Sequence, residues 1–114
     1  MESLPIINKT YEAYKSIIDM NSKLDKRWRH GLGLSIENSI LECFELLIMA
    51  KNAPKTMKPG YLIKASSKHE ITIHKVRLLL ELKLANETKI HQLQAKLAEI
   101  GRMIGGWLKA AQSS

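Results

Sequence analysis

The side chains in this sequence that could do chemistry are two carboxylate–imidazole pairs and a large set of lysines and arginines. Glu70/His74 and Glu87/His91 each stand four residues apart, a spacing that puts both groups on one face of a helix and could aim two metal ligands the same way. A di-metal helical bundle takes Glu-x-x-His at i,i+3 from two helices and an inward carboxylate from each of the other two. That pattern is missing from the sequence. Nucleophile–base pairs and phosphate-cradling Gly loops are missing too. The expectation is a protein with no catalytic residues, no metal and no cofactor.

The basic residues fall into two groups. Lys26, Arg27 and Arg29 surround Trp28, and Lys51, Lys55, Lys58, Lys64, Lys68, Lys75 and Arg77 follow later. Cations with an interleaved aromatic suit phosphate contact and base stacking. Their distribution sharpens the point. Residues 1–50 carry six Lys/Arg against seven Asp/Glu, whereas residues 51–114 carry twelve against four. The net charge of +7 therefore arises entirely in the second half. Clustered cations release counterions on binding a polyanion, so a nucleic-acid partner is expected.

These residues must be held by helices. The chain has 114 residues, 45% apolar and 25% charged, which fits one domain over residues 1–114 with a modest core. The single Cys43 leaves no internal disulfide and no cysteine-based zinc cluster. No apolar run approaches the ~20 residues that cross a bilayer, and no basic-then-apolar leader opens the chain. A cytoplasmic protein without a membrane partner is expected.

Helical periodicity recurs in four segments, about residues 6–24, 34–52, 61–85 and 88–111. The first has the stripe Ile7, Tyr11, Tyr14, Ile17 and Ile18, and Gly31 and Gly33 disfavour helix in the basic stretch after it. The second turns Ile36, Ile40, Cys43, Leu47 and Ala50 inward, before Pro54 and Lys58-Pro59-Gly60 punctuate the next connection. The third reads Leu62, Ser66, His69, Ile73, Val76, Leu80 and Leu84 as its seam, and Leu78, Leu79 and Leu82 leave it apolar on a second side, an interface signal. The fourth places Ile90, Leu93, Leu97, Ile100, Ile104 and Trp107 on one stripe without a miss. Short links force antiparallel neighbours, so the expected fold is all-α, an antiparallel up-down-up-down four-helix bundle.

Gly101, Gly105 and Gly106 lie inside that last helix, where each glycine costs roughly 1 kcal/mol against alanine. Ala98, Gly101 and Gly105 share a stripe that would let another helix approach closely. Trp107 reads as a core or interface anchor.

The ten residues Glu99-Ile100-Gly101-Arg102-Met103-Ile104-Gly105-Gly106-Trp107-Leu108 closely resemble the C-terminal signature of the Avd family, the accessory variability determinants of diversity-generating retroelements. The turn Arg27-Trp28-Arg29-His30-Gly31-Leu32-Gly33, the pair Ala50-Lys51 and the segment His74-Lys75-Val76-Arg77-Leu78-Leu79 agree in order and spacing. The resemblance implies a non-catalytic bundle that assembles as a homopentamer and binds the retroelement's reverse transcriptase and its template RNA, or DNA, during mutagenic cDNA synthesis. The same superfamily includes bundle proteins encoded in ribosomal RNA intervening sequences, which give the alternative of an RNA-binding or structural protein without a polymerase partner. The basic residues Lys26, Arg27, Arg29, Lys51, Lys55, Lys58, Lys64, Lys68, Lys75 and Arg77 are the expected nucleic-acid contacts. Leu78, Leu79, Leu82, Gly101, Arg102, Gly105 and Trp107 are the expected oligomer or partner interface, with Arg102 free either to pair with Glu99 or to face a partner.

Overall fold

The computed structural model describes residues 3–113. Its elements are α1 (Ser3–Asn21), a one-turn α2 (Lys26–Trp28) that runs through a π-helical turn (Arg29–Gly33) into α3 (Leu34–Asn52), a 3-10 turn (Lys55–Met57), α4 (Lys58–Glu81) and α5 (Glu87–Gln112). The four long helices, α1, α3, α4 and α5, pack in a ring, each against its neighbours in sequence and α1 against α5. The molecule measures 46 × 22 × 19 Å, and at 1.5 Å per residue α5 alone runs most of that length.

Cross-links fix the helix directions. Asn21 at the end of α1 reaches Gly33 and Glu37 at the start of α3. Lys75, late in α4, reaches Ser35 and Ser39, early in α3. Ser16 and Lys9 of α1 meet Lys96 and Glu99 of α5. The first two join late residues to early ones, and in the third α1 runs back from Ser16 to Lys9 as α5 runs forward from Lys96 to Glu99, so neighbours run antiparallel and the fold is the expected all-α four-helix bundle.

The inner faces of α3 and α5 are as the sequence reads them: Ile36, Ile40, Cys43, Leu47 and Ala50 are fully buried, and so are Ile90, Leu93, Leu97, Ile100 and Ile104. Two stripes are turned relative to expectation. In α1 the buried set is Ile6, Thr10, Ala13, Ile17 and Met20, while Tyr11 and Ile18 stay exposed. In α4 it is Leu62, Ala65, His69, Thr72, Val76 and Leu79, so Ser66 and Ile73 face out. The two α4 readings share Leu62, His69 and Val76. The structure turns the small residues inward because α3 comes close, with Cys43 Sγ donating to the Ala65 carbonyl at 3.5 Å.

Two expected breaks are helical instead. Residues 26–52 are helical throughout: an extra residue is absorbed as a π turn, in which the Leu34 N–H reaches back to the Arg29 carbonyl. Gly33 suits this point because a Cβ there would lie 3.0 Å from Asn21 Oδ1 and 3.1 Å from Leu24. Pro59 stands in the first turn of α4, where its missing N–H removes no helical bond. At its other end α4 stops at Glu81, four residues before the expected end.

Candidate nucleic-acid interface

The expected nucleic-acid residues do not form one patch. Lys26, Arg27 and Arg29 lie on the turn between α1 and α3, all exposed. The Arg27 guanidinium stacks 5.0 Å over the Trp28 ring, and Trp28 is half-buried against the core. This tryptophan therefore serves the packing and Arg27, leaving less of it for a base. Lys51 and Lys55 lie exposed at the opposite end of α3, beside the start of α4. Lys64 shares that end, on one surface with Thr56, Met57, Gly60 and Tyr61.

Four of the ten are held by the bundle itself. Lys58 Nζ donates to the carbonyls of Ala50 and Lys51 at 2.9 and 3.0 Å, closing the C-terminus of α3. Lys68 pairs with Glu42 at 2.7 Å. Lys75 donates to Ser39 Oγ at 2.6 Å and to the Ser35 carbonyl at 3.3 Å. Arg77 pairs with Glu81 at 2.9 Å. Lys26, Arg27, Arg29, Lys51, Lys55 and Lys64 meet no carboxylate within 4 Å among the described residues. Sequence spacing cannot show this division, because the partners of Lys58, Lys68 and Lys75 sit on another helix.

The expected interface set also divides. Leu78 and Leu82 are exposed, and helical spacing puts them on one face with the exposed Ile71 of α4. Leu79 is a correction: it is fully buried in the core, because the inward turn of Thr72 and Val76 carries it in with them. Gly101 is another, since the side chain it makes room for belongs to the same bundle. A Cβ there would lie 2.7 Å from His69 Cε1. A Cβ at Gly105 would have nothing within 4 Å among the described residues. Arg102 is exposed, and the Glu99 it could have paired with bonds Lys9 of α1 at 3.1 Å. Trp107 is half-buried against the core.

A groove of about 400 Å³ lies between α3 and α4, lined by Leu46, Met49 and Ile63 and by the Lys68–Glu42 pair. Among the described residues no three His, Cys, Asp or Glu side chains converge as metal ligands. The two carboxylate–imidazole pairs are exposed and lie on different helices, at 3.9 Å for Glu70/His74 and 3.5 Å for Glu87/His91. Burial pushes the Cys43 thiol up to about 12, so it remains an unreactive thiol at neutral pH. Among the described residues no helix is long and apolar enough to cross a membrane.

The bundle, the basic π turn and the glycine-containing last helix match a family model described as bAvd-like over residues 5–111. The chain belongs to the bAvd-like family. That match spans all four long helices, so it covers the whole architecture and not the C-terminal signature alone. No curated protein and no solved structure matches the chain. Sequence reading missed three features of this fold: His69 as the reason for Gly101, Asn21 as the tie to the π turn, and the lysines that the ends of α1 and α4 and the start of α5 bring together at one end of the bundle. The first two answer only to tertiary contacts.

Proposed function

We propose that this protein is a non-catalytic accessory subunit of a diversity-generating retroelement, which binds template RNA and the reverse transcriptase as a homo-oligomer, a pentamer in the family pattern. The observation that carries the reading is the bAvd-like match over residues 5–111. Two features of the surface support it. Six of the expected RNA contacts make neither an ion pair nor a side-chain hydrogen bond among the described residues, and nonspecific affinity for a phosphate backbone comes from such charges. The exposed Ile71 and Leu78 of α4, with Leu82 just past its end, share one face of the helix and suit a protein partner.

The test is RNA binding by the purified chain over a salt series, with Lys51, Lys55 and Lys64 changed together to Glu. Affinity should fall steeply with salt in the wild type, and the triple variant should lose most of it with helicity intact. Co-expression with a reverse transcriptase encoded in the same element should give a co-purifying complex. An unchanged affinity in the triple variant removes these lysines from the interface. A chain that binds neither RNA nor the polymerase removes the reading itself.

A further inference from the structure

A cavity of about 370 Å³ opens at the end of the bundle where α1 stops and α4 turns into α5. Three lysines from different elements line it: Lys23 just after α1, Lys83 in the turn and Lys89 in the first turn of α5. Among the described residues Asp19 is the one carboxylate on its wall, and it already pairs with Lys23 at 3.7 Å. Lys83 and Lys89 meet no carboxylate within 4 Å among the described residues. The floor is apolar, with Leu24 buried and Leu84 half-buried.

Lys83 has an unusual backbone. Its φ is 56°, in the left-handed region. Its N–H bonds the Leu80 carbonyl at 3.1 Å and the Leu84 N–H bonds the Leu79 carbonyl at 3.1 Å. This paired closure ends a helix and ordinarily takes glycine at the left-handed position. A lysine here folds less easily than glycine would, and what it adds is an ammonium group at the edge of the cavity. On the neighbouring α1–α5 surface Lys9 is paired with Glu99, and Lys96 donates to the Ser16 hydroxyl. The exposed Lys26, Arg27 and Arg29 follow directly from Lys23 and Leu24, so they lie at the same end.

We propose that this cavity is a phosphate site for one nucleotide of a bound RNA strand, with the phosphate between Lys83 and Lys89 and the sugar and base against Leu24 and Leu84. It rests on the RNA-binding reading above and adds contacts outside the residues named there. The start of α5 lies on the same wall, and its dipole adds to the positive potential.

The test uses the full chain, a labelled mixed-sequence single-stranded RNA oligonucleotide and the variants Lys83→Gly and Lys89→Gln, alone and combined. Lys83→Gly removes the charge while easing the backbone, so its melting temperature should equal or exceed that of the wild type. The double variant should bind RNA roughly tenfold more weakly at low salt. Its dependence of log affinity on log salt should be shallower by about 0.7, the loss of one neutralised phosphate on a single strand. RNA affinity and salt slope equal to wild type in the double variant overturn the cavity assignment alone. A wild-type chain that does not bind the RNA overturns both this assignment and the proposed function. In a parallel arm, adenosine monophosphate is titrated while the amide resonances of Lys83, Asn86 and Lys89 are followed. Shifts there with RNA affinity insensitive to both substitutions make this a free-nucleotide pocket and overturn its assignment to an RNA strand.

Discussion

His69 sits in the core on α4, and its Nε2 lies 2.6 Å from the Leu97 carbonyl oxygen, the acceptor to which that nitrogen donates. Gly101 on α5 is the space in which the ring lies. Gly101→Ala should therefore destabilise the fold by about 1–3 kcal/mol, the usual cost of overpacking a core. Gly105→Ala meets nothing and should stabilise by about 0.5–1 kcal/mol, as expected in a helix interior. Urea denaturation of the two variants checks both signs. Cys43 gives a second prediction. Its pKa rises from 9.0 to about 12 on folding, so above pH 9 the unfolded chain releases a proton that the folded chain keeps. Stability contributed by the protonated thiol is whole below pH 9 and is lost as pH rises from there toward 12. The loss is at most about 1.4 kcal/mol per pH unit. Comparing denaturation of the wild type and Cys43→Ala across that range isolates the cysteine, since the variant should lack this part of the slope.

At the scale of elements, the ends of the helices carry the information. Lys58 caps α3 through two carbonyls, so Lys58→Met should cost about 1 kcal/mol, near the net value of such a bond. It should speed amide exchange at the end of α3 and leave RNA affinity nearly unchanged. A large loss of RNA binding with normal stability would instead return Lys58 to the interface. The π turn works in the same local way. Asn21 Nδ2 holds the Gly33 carbonyl at 2.7 Å and Glu37 at 2.8 Å, which ties the basic turn to the end of α1. Sequence reading of Gly31 and Gly33 as breakers treats glycine by propensity, and the tertiary tie overrides that propensity.

For the whole molecule, the question is what covers the outside of α4. Replacing Leu78 and Leu82 by Glu should leave the helical content and melting of the bundle nearly unchanged, because both side chains are exposed. If the proposed homo-oligomer forms through this face, the change should lower the assembly state seen by light scattering toward one chain. A wild-type chain that is already monomeric removes the oligomer from the proposed function but leaves RNA binding standing, since the basic residues belong to single chains.

The sequence by itself determined the helix count, the antiparallel order and the inner faces of α3 and α5. Those follow from periodicity and short links, which are local properties. It also carried the family signature in residues 99–108. Only the tertiary structure decided which way α1 and α4 turn, because two stripes of similar spacing compete on each, and on α4 the close approach of α3 selects the smaller side chains. The same contacts withdraw Leu79, Gly101, Lys58 and Lys75 from the surface roles their types suggest. They also bring Lys23 to one cavity with Lys83 and Lys89, from which it is distant in sequence. A side chain's charge is fixed by its type, but whether that charge is spent within the bundle or left for a ligand depends on which neighbours the packing supplies.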